Sequence, residues 1–276
     1  SIPTLSDPYP REIGLVAHYP MDDTKKGVLA DITGRHPGRL IDARLDRKGR
    51  IGRALGFDGG DDRARIPNAA RESFTISFWM QTTAQGRGSA SDPRWFRGSG
   101  LIDGEVSGIV NDFGISMIDS GVIAAGVGNP ETFISSPAGF NDGRWHHVAF
   151  VRDASNGRIS LHLDGREVDA ANGGRQPLDA ISDLTIGRMR PGGGGFSGTI
   201  DEIRIHERAL SPDEVASLAL DFRLDEAVAD AIRSDDGEPA AAEFIRLRNE
   251  LLALEPPRSE ATLVLCARSQ GPVPPR

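Results

Sequence analysis

The feature that most limits the fold is a repeated pattern of short apolar runs, which extends from residue 13 to about residue 208 and is broken by turn-forming residues. Residues 74–80 alternate large apolar and small polar side chains, the period of a strand with one buried face. Asp164-Gly165 predicts a two-residue hairpin, because both residues tolerate positive φ angles. Since no long helical pattern interrupts these runs, we predict an all-β fold, an antiparallel sandwich of two packed sheets.

The sequence changes character after Ser211. The segment Ser211-Pro212-Asp213-Glu214 has the cap, the proline and the acidic residue that begin a helix. Residues 238–254 carry a helical period that places four apolar side chains on one face, Phe244, Leu247, Leu251 and Leu254. We therefore divide the chain into a lead-in (1–12), a sandwich domain (13–219) and a short α-helical extension or linker that ends in a strand (220–276).

The net charge of the chain argues against nucleic acids and anionic membranes as its main partners. The chain has 40 acidic and 32 basic side chains and a formal net charge of −8, whereas nucleic acids and anionic membranes attract basic surfaces. No apolar run approaches the roughly 20 residues of a membrane helix. A single cysteine, Cys266, excludes an internal disulfide. Residues 1–4 lack the start of a signal peptide, so we expect a processed protein or part of a longer one.

The loop at residues 85–100 holds the sharpest candidate for ligand binding. It is polar and rich in glycine and serine, and Trp95-Phe96 lies in it without any alternating pattern that would bury the rings. Sugars stack on exposed aromatic rings because one face of a sugar ring carries apolar C–H groups. We therefore predict Trp95 and Phe96 as contacts of a carbohydrate ligand. The alternative is that this pair anchors the loop on the edge of the sandwich.

Seven stretches, taken together and in order, resemble the laminin-G-like, concanavalin-A-like domain family of bacterial extracellular proteins. They are residues 14–23, 31–36, 54–62, 74–79, 142–149, 161–165 and 198–211. The resemblance covers roughly residues 13–219 and implies a jelly-roll sandwich of two curved antiparallel sheets. It also implies an extracellular or periplasmic location, a structural calcium ion, and binding of glycans or proteins without catalysis.

The resemblance places the calcium site at Asp31 and Asp201, with backbone carbonyls of Gly34 or His36 as further ligands. Calcium takes six to eight oxygen ligands, which carboxylates and free loop carbonyls supply. The alternative is that Asp31 caps a turn and that Asp201 pairs with an arginine such as Arg204.

Motifs for hydrolysis are missing. The chain has no Gly-x-Ser-x-Gly segment, and Cys266 has no histidine near it in sequence. Carboxylates are plentiful enough for a glycosidase pair, but the Glu-x-Asp-x-x-Glu strand of concanavalin-like glycoside hydrolases is absent. We therefore predict no enzymatic activity.

Two functions follow from these observations. The first is a recognition module that binds a polysaccharide, stabilised by calcium. The second is a structural or interaction domain that packs against other domains of a larger multidomain bacterial protein. The aromatic pair in the 85–100 loop favours the first, and the amphipathic segment 238–254, whose apolar face needs a partner, favours the second.

Overall fold

The computed structural model describes residues 13–219, apart from residues 23, 26, 109 and 191–193. The predictions for residues 1–12 and 220–276 lie outside the described residues. The strands are β1 (Leu15–Tyr19), β2 (Thr24–Lys25), β3 (Val28–Leu29), β4 (Gly38–Ile41), β5 (Arg44–Lys48), β6 (Arg53–Asp58), β7 (Arg63–Pro67), β8 (Phe74–Gln81), β9 (Ser99–Asp103), β10 (Phe113–Ile118), β11 (Val122–Val127), β12 (Thr132–Ser135), β13 (Trp145–Asp153), β14 (Arg158–Leu163), β15 (Arg166–Asn172), β16 (Asp183–Ile186) and β17 (Ser197–His206).

These strands form two sheets. The eight-stranded sheet has the order β15-β14-β13-β8-β17-β6-β5, with β1 also paired to β17. The nine-stranded sheet has the order β12-β11-β10-β9-β16-β7-β4-β3-β2. Because the named strands pair antiparallel throughout and both sheets share one core, the predicted all-β sandwich is confirmed.

The core lies between the two sheets. The ring of Phe74 on β8 lies 4.9 Å from that of Phe113 on the nine-stranded sheet, and 5.7 Å from that of Phe150 in an edge-on contact. All three side chains are fully buried, and burying one phenylalanine contributes roughly 1.5–3 kcal/mol. The even-numbered residues of 74–80 therefore enter the core, as the alternation predicts. The prediction of a single buried face is wrong, because Thr75, Ser77 and Trp79 on the other face are at most 1% exposed.

The predicted hairpin is also present. Asp164 and Gly165 connect β14 to β15 with φ angles of 51° and 81°. Both angles are positive, as the hairpin turn requires.

A helix, α1 (residues 212–219), begins where the sequence predicts it. The amide of Glu214 donates to Ser211 Oγ at 3.3 Å, and the amide of Ser211 donates to Glu214 Oε2 at 2.8 Å, which is a capping box. Val215 and Leu218 of α1 pack with Ala149 and Val151 of β13. The helix therefore covers part of the outward side of the eight-stranded sheet. No helix among the described residues is long and apolar enough to span a membrane.

Candidate functional site

The candidate site lies on the side of the nine-stranded sheet that faces away from the core. Ala64 and Ile66 of β7 belong to the core, so the neighbouring Arg65 points outward because successive strand residues face opposite sides. The same argument applies to Thr185 on β16, which lies between two core residues, Leu184 and Ile186.

One line of paired residues crosses this side of the sheet from β4 to β12. The register pairs each residue with the next in the order Arg39, Arg65, Thr185, Asp103, Gly114, Gly126 and Phe133. Directly paired residues of an antiparallel sheet lie on the same face. Neighbouring strands are about 4.8 Å apart, so this line, called the cross-strand row below, spans roughly 29 Å.

The side chain of Trp95 is not part of the row but packs over two of its residues, and it is buried. A Cβ atom on Gly114 would lie 2.5 Å from the six-membered part of the indole, and one on Gly126 would lie 2.4 Å from its Cδ1. The pair of glycines therefore leaves the recess that the indole fills, and the side chain is only 1% exposed. The expectation of an exposed Trp95 ring is wrong, because this loop folds onto the sheet. The alternative, a loop anchor, describes what the structure contains.

Phe96 stays partly exposed beside Trp95. Its ring meets the indole edge-on at 5.6 Å, and the guanidinium of Arg94 lies over it at 5.6 Å. Arg94 is in turn held by Asp92 through two hydrogen bonds of 2.7 and 2.8 Å. The predicted contact residue Phe96 is therefore fixed in place at the aromatic end of the row.

Phe133 is the exposed aromatic ring that sequence reasoning missed. It pairs with Gly126 on the row, and it is 38% exposed. The sequence did contain a signal, because Ile134 is a core residue and its neighbour on the strand must face outward. A large aromatic side chain at an outward strand position marks an available apolar surface.

Arginines form the other end of the row. Arg39 and Arg65 are exposed and directly opposite each other. Next to them, the Nε of Arg190 donates to Thr185 Oγ1 at 2.6 Å, and the amide of Arg190 donates to Asp103 Oδ2 at 2.6 Å. Burial, followed by the positive charge of Arg65, lowers the pKa of Arg190.

Three carboxylates lie where β9 ends and β10 begins. Burial raises the pKa of Asp103 to about 7, against the effect of two amide hydrogen bonds. Burial also raises the pKa of Glu105 to about 8, with contributions from Asp112 and Asp103. The pKa of Asp112 is raised as well, again chiefly by burial. The carboxyl groups of Asp103 and Glu105 therefore take up protons near neutral pH. No group of three acidic, histidine or cysteine side chains among the described residues is arranged to hold a metal ion.

The predicted calcium ligand Asp31 is a hydrogen-bond acceptor with no free capacity. Its Oδ1 accepts the amides of His18 at 2.9 Å and Thr33 at 3.0 Å. Its Oδ2 accepts the hydroxyl of Thr33 at 2.7 Å and the amides of Arg35 at 3.1 Å and His36 at 2.8 Å. A carboxylate has about four acceptor positions. The five donors fill them, so Asp31 caps this loop, which was the alternative to metal binding.

Two of the other predicted ligands, Asp201 and the carbonyl of His36, are also engaged. Asp201 accepts the amides of Ile51 at 3.1 Å and Glu202 at 2.9 Å, and burial raises its pKa to about 8. The carbonyl of His36 accepts the hydroxyl of Tyr19 at 2.6 Å. The amide of Gly34 donates to the carbonyl of Asp31 at 2.9 Å, which closes the turn. These contacts do not fit a calcium ion held by Asp31 and give the calcium prediction no support.

A laminin G family model, described as the concanavalin A-like lectin/glucanases superfamily, matches residues 58–216, more than half of the chain. Human pentraxin-4 is 34% identical over 88 residues, which make up 29% of this chain and 18% of pentraxin-4. The chain therefore spans less than two thirds of that relative.

Solved structures with the same fold include two domains of other proteins. Domain 4 of AbnA, an extracellular GH43 arabinanase from Geobacillus stearothermophilus, was solved with arabinotriose. It has a TM-score of 0.55 and 23% identity, and the match covers 74% of this chain and 98% of that one. The binding domain of Paraclostridial Mosquitocidal Protein 1 has a TM-score of 0.60 and 14% identity, with coverage of 77% and 53%. At these identities the likeness establishes the fold alone.

Proposed function

Because the chain belongs to the laminin-G-like family of the concanavalin A-like lectin/glucanases superfamily, we propose that it is a non-catalytic module that binds a polysaccharide on the cross-strand row. We place it outside the cytoplasm, in the extracellular space or the periplasm. Support for this location comes from the family resemblance and from the extracellular arabinanase whose domain 4 shares the fold.

The observation that carries the proposal is the composition of the row. An exposed ring, Phe133, and a half-buried one, Phe96, lie at one end. Exposed arginine side chains, Arg39 and Arg65, lie at the other end. Sugar sites combine apolar contact surface with a few fixed polar groups, and this row offers both on one rigid sheet.

The length of the row favours a polymer over a single sugar. The two exposed ends of the row lie roughly 29 Å apart, and the four positions between them are buried. Only an extended ligand of several sugar rings reaches both ends. The likeness to a domain solved with arabinotriose supports an oligosaccharide of this kind.

A binding screen tests the proposal. We expect the protein to bind at least one polysaccharide in a pull-down panel that includes arabinan, and to bind fragments of the same polymer on a glycan array. Phe133→Ala should weaken that binding about five- to tenfold, because an aromatic contact is worth roughly 1 kcal/mol.

The matched control is Ile32→Ala, which also removes an exposed apolar side chain, 64% exposed and off the row. This variant should bind like the original protein. Failure to bind any glycan, or an equal loss in both variants, would contradict glycan binding at the row.

An interaction domain within a larger protein is the second candidate. It is favoured by the sequence match to pentraxin-4, which covers only 18% of that longer chain. For this function we expect no glycan binding and a specific complex with a neighbouring domain of the parent protein. Size-exclusion chromatography of the two purified parts would detect that complex.

A further inference from the structure

The arginine end of the cross-strand row carries uncompensated positive charge. Arg39 and Arg65 are exposed and directly opposite each other on β4 and β7. Like charges at such positions destabilise a sheet. Among the described residues, neither side chain has an ion-pair or hydrogen-bond partner. An anion bound between them would remove the repulsion.

Arg190 extends this positive surface and is already ordered. Its Nε is held by Thr185 Oγ1 and its amide by Asp103. Its buried Nη2 has no hydrogen-bond partner among the described residues. The guanidinium therefore has an unused donor while its orientation is fixed, and pre-ordered donors bind with a smaller loss of entropy.

The acidic groups that act on Arg190 are few. Asp103 lies beneath it, fully buried, and Asp183 is the other carboxylate with a direct electrostatic effect on it. Arg63 and Arg65 add positive charge on the same side. In a chain with 40 acidic and 32 basic side chains, this concentration of arginines runs against the overall charge.

We propose that Arg39, Arg65 and Arg190 bind the anionic groups of an acidic glycan, either uronic acid carboxylates or sulfate esters. A guanidinium donates two parallel hydrogen bonds to a planar carboxylate and also pairs well with other oxyanions. The ring of Phe133 at the opposite end and the length of the row favour a glycan over an acidic peptide. This inference rests on the proposed function and defines its substrate class.

Titration calorimetry with three defined probes tests it. They are oligogalacturonate, a sulfated oligogalactose and neutral oligogalactose of the same length. At low salt we expect one or both acidic probes to bind at least about tenfold more tightly than the neutral probe, about 1.4 kcal/mol. Since the arginines are exposed, this preference should shrink as salt is added. The acidic probe that binds more tightly distinguishes carboxylate from sulfate.

Single-residue variants test whether the preference for acidic probes arises at the arginine end of the row. Arg65→Gln and Arg39→Gln should each weaken binding of the preferred acidic probe about tenfold and weaken binding of the neutral probe by much less. The control is Arg166→Gln on the other sheet, which removes an exposed arginine and the same charge. It should leave all three affinities unchanged. Equal losses in the control would show that net charge alone is responsible and would overturn the inference.

Other outcomes separate this inference from the proposed function. If neutral and acidic probes bind equally, and Phe133→Ala weakens both, glycan binding stands and the acidic preference is refuted. If no glycan binds, both fail. If poly-glutamate binds as tightly as the acidic glycans and depends equally on Arg65, the ligand is an acidic polypeptide and the inference is overturned.

Discussion

Asp31 shows how a single carboxylate can serve as the organising centre of a loop. Four amides and one hydroxyl converge on it, from His18 on β1 and from the turn that follows it. Burial alone would raise the pKa of Asp31, but the hydrogen bonds from the amides of His18 and His36 and from Thr33 lower it below its ordinary value. The ionised form is therefore the one that the fold stabilises.

Asp31→Asn should lower the free energy of unfolding by about 3 kcal/mol, because an amide nitrogen replaces one acceptor oxygen and leaves amide donors unpaired. Urea unfolding at neutral pH measures the loss. Asp61→Asn, which removes the same charge at an exposed position, is the control. In the original protein the contribution of Asp31 is present above its unfolded pKa and disappears as the pH falls through its lower folded pKa. A neutral effect of Asp31→Asn would contradict the assigned role.

Glu105 gives the opposite pH dependence. Its folded pKa of about 8 lies above its unfolded value, chiefly because of burial. Stability therefore falls as the pH rises from the unfolded pKa to the folded one. Glu105→Gln should leave stability nearly unchanged at pH 5 and raise it by about 1 kcal/mol at pH 9, a value reduced for partial exposure. Unfolding at both pH values, with Glu207→Gln as the exposed control, would show it. A gain independent of pH would disprove the assignment.

At the scale of elements, the 85–100 loop is held by its fit to two strands. Trp95 lies over the paired glycines of β10 and β11, and the surrounding cluster contains Ile118, Val122 and Met189. The indole covers one part of the outward side of the sheet, and the rings of Phe96 and Phe133 beside it stay partly exposed to solvent. Loop and sheet therefore form the aromatic end of the row together.

Gly114→Ala should destabilise the protein by about 2 kcal/mol, because its new Cβ atom would overlap the indole and would meet no backbone atom closer than 3.4 Å. In a background that carries Trp95→Ala, the same change should cost much less. A double-mutant cycle of urea unfolding measures this coupling. If the two changes were additive, the indole would not fill the glycine recess.

At the scale of the whole molecule, the two sides of the sandwich differ. The outward side of the eight-stranded sheet is partly covered by α1 through Val215 and Leu218. The outward side of the nine-stranded sheet carries the cross-strand row, with exposed arginines at one end and an exposed phenylalanine at the other. The two outward sides are therefore suited to different roles, packing on one and ligand contact on the other.

For calcium, the hydrogen bonds around Asp31 lead to a clear expectation. Adding calcium to chelated protein should leave the melting temperature unchanged, since a ligand stabilises only the state it binds. Differential scanning calorimetry measures this. A rise in the melting temperature that disappears in Asp201→Asn, a variant checked separately for folding, would restore the calcium site.

For catalysis, the raised pKa values of Asp103 and Glu105 are those expected of proton donors. We nevertheless expect no release of reducing sugar from any polysaccharide that the protein binds. A reducing-end assay over prolonged incubation checks this. Release that is abolished by Glu105→Gln, with binding retained, would show that the module is an enzyme.

Much of the fold follows from local patterns. The alternation in residues 74–80, the Asp164-Gly165 turn and the Ser211 cap each act over a few residues. The structure confirms the strand, the turn and the cap, although both faces of that strand are buried. Local patterns are informative because side-chain direction along a strand has a period of two whatever the tertiary fold. The ordered family segments then predicted the sandwich of two antiparallel sheets.

The candidate site depends on contacts between residues that are far apart in the sequence. Trp95 is buried because β10 and β11 each supply a glycine beneath it, and one of the five donors to Asp31, the amide of His18, comes from β1, 13 residues earlier in the chain. Arg39, Arg65 and Arg190 come together only through strand register. The sequence alone therefore determined the side-chain alternation of strands, the position of the hairpin turn and the N-cap of the helix, since each depends only on neighbouring residues. The tertiary structure decided which side chains are exposed or already paired, because burial and pairing depend on neighbours that distant strands supply.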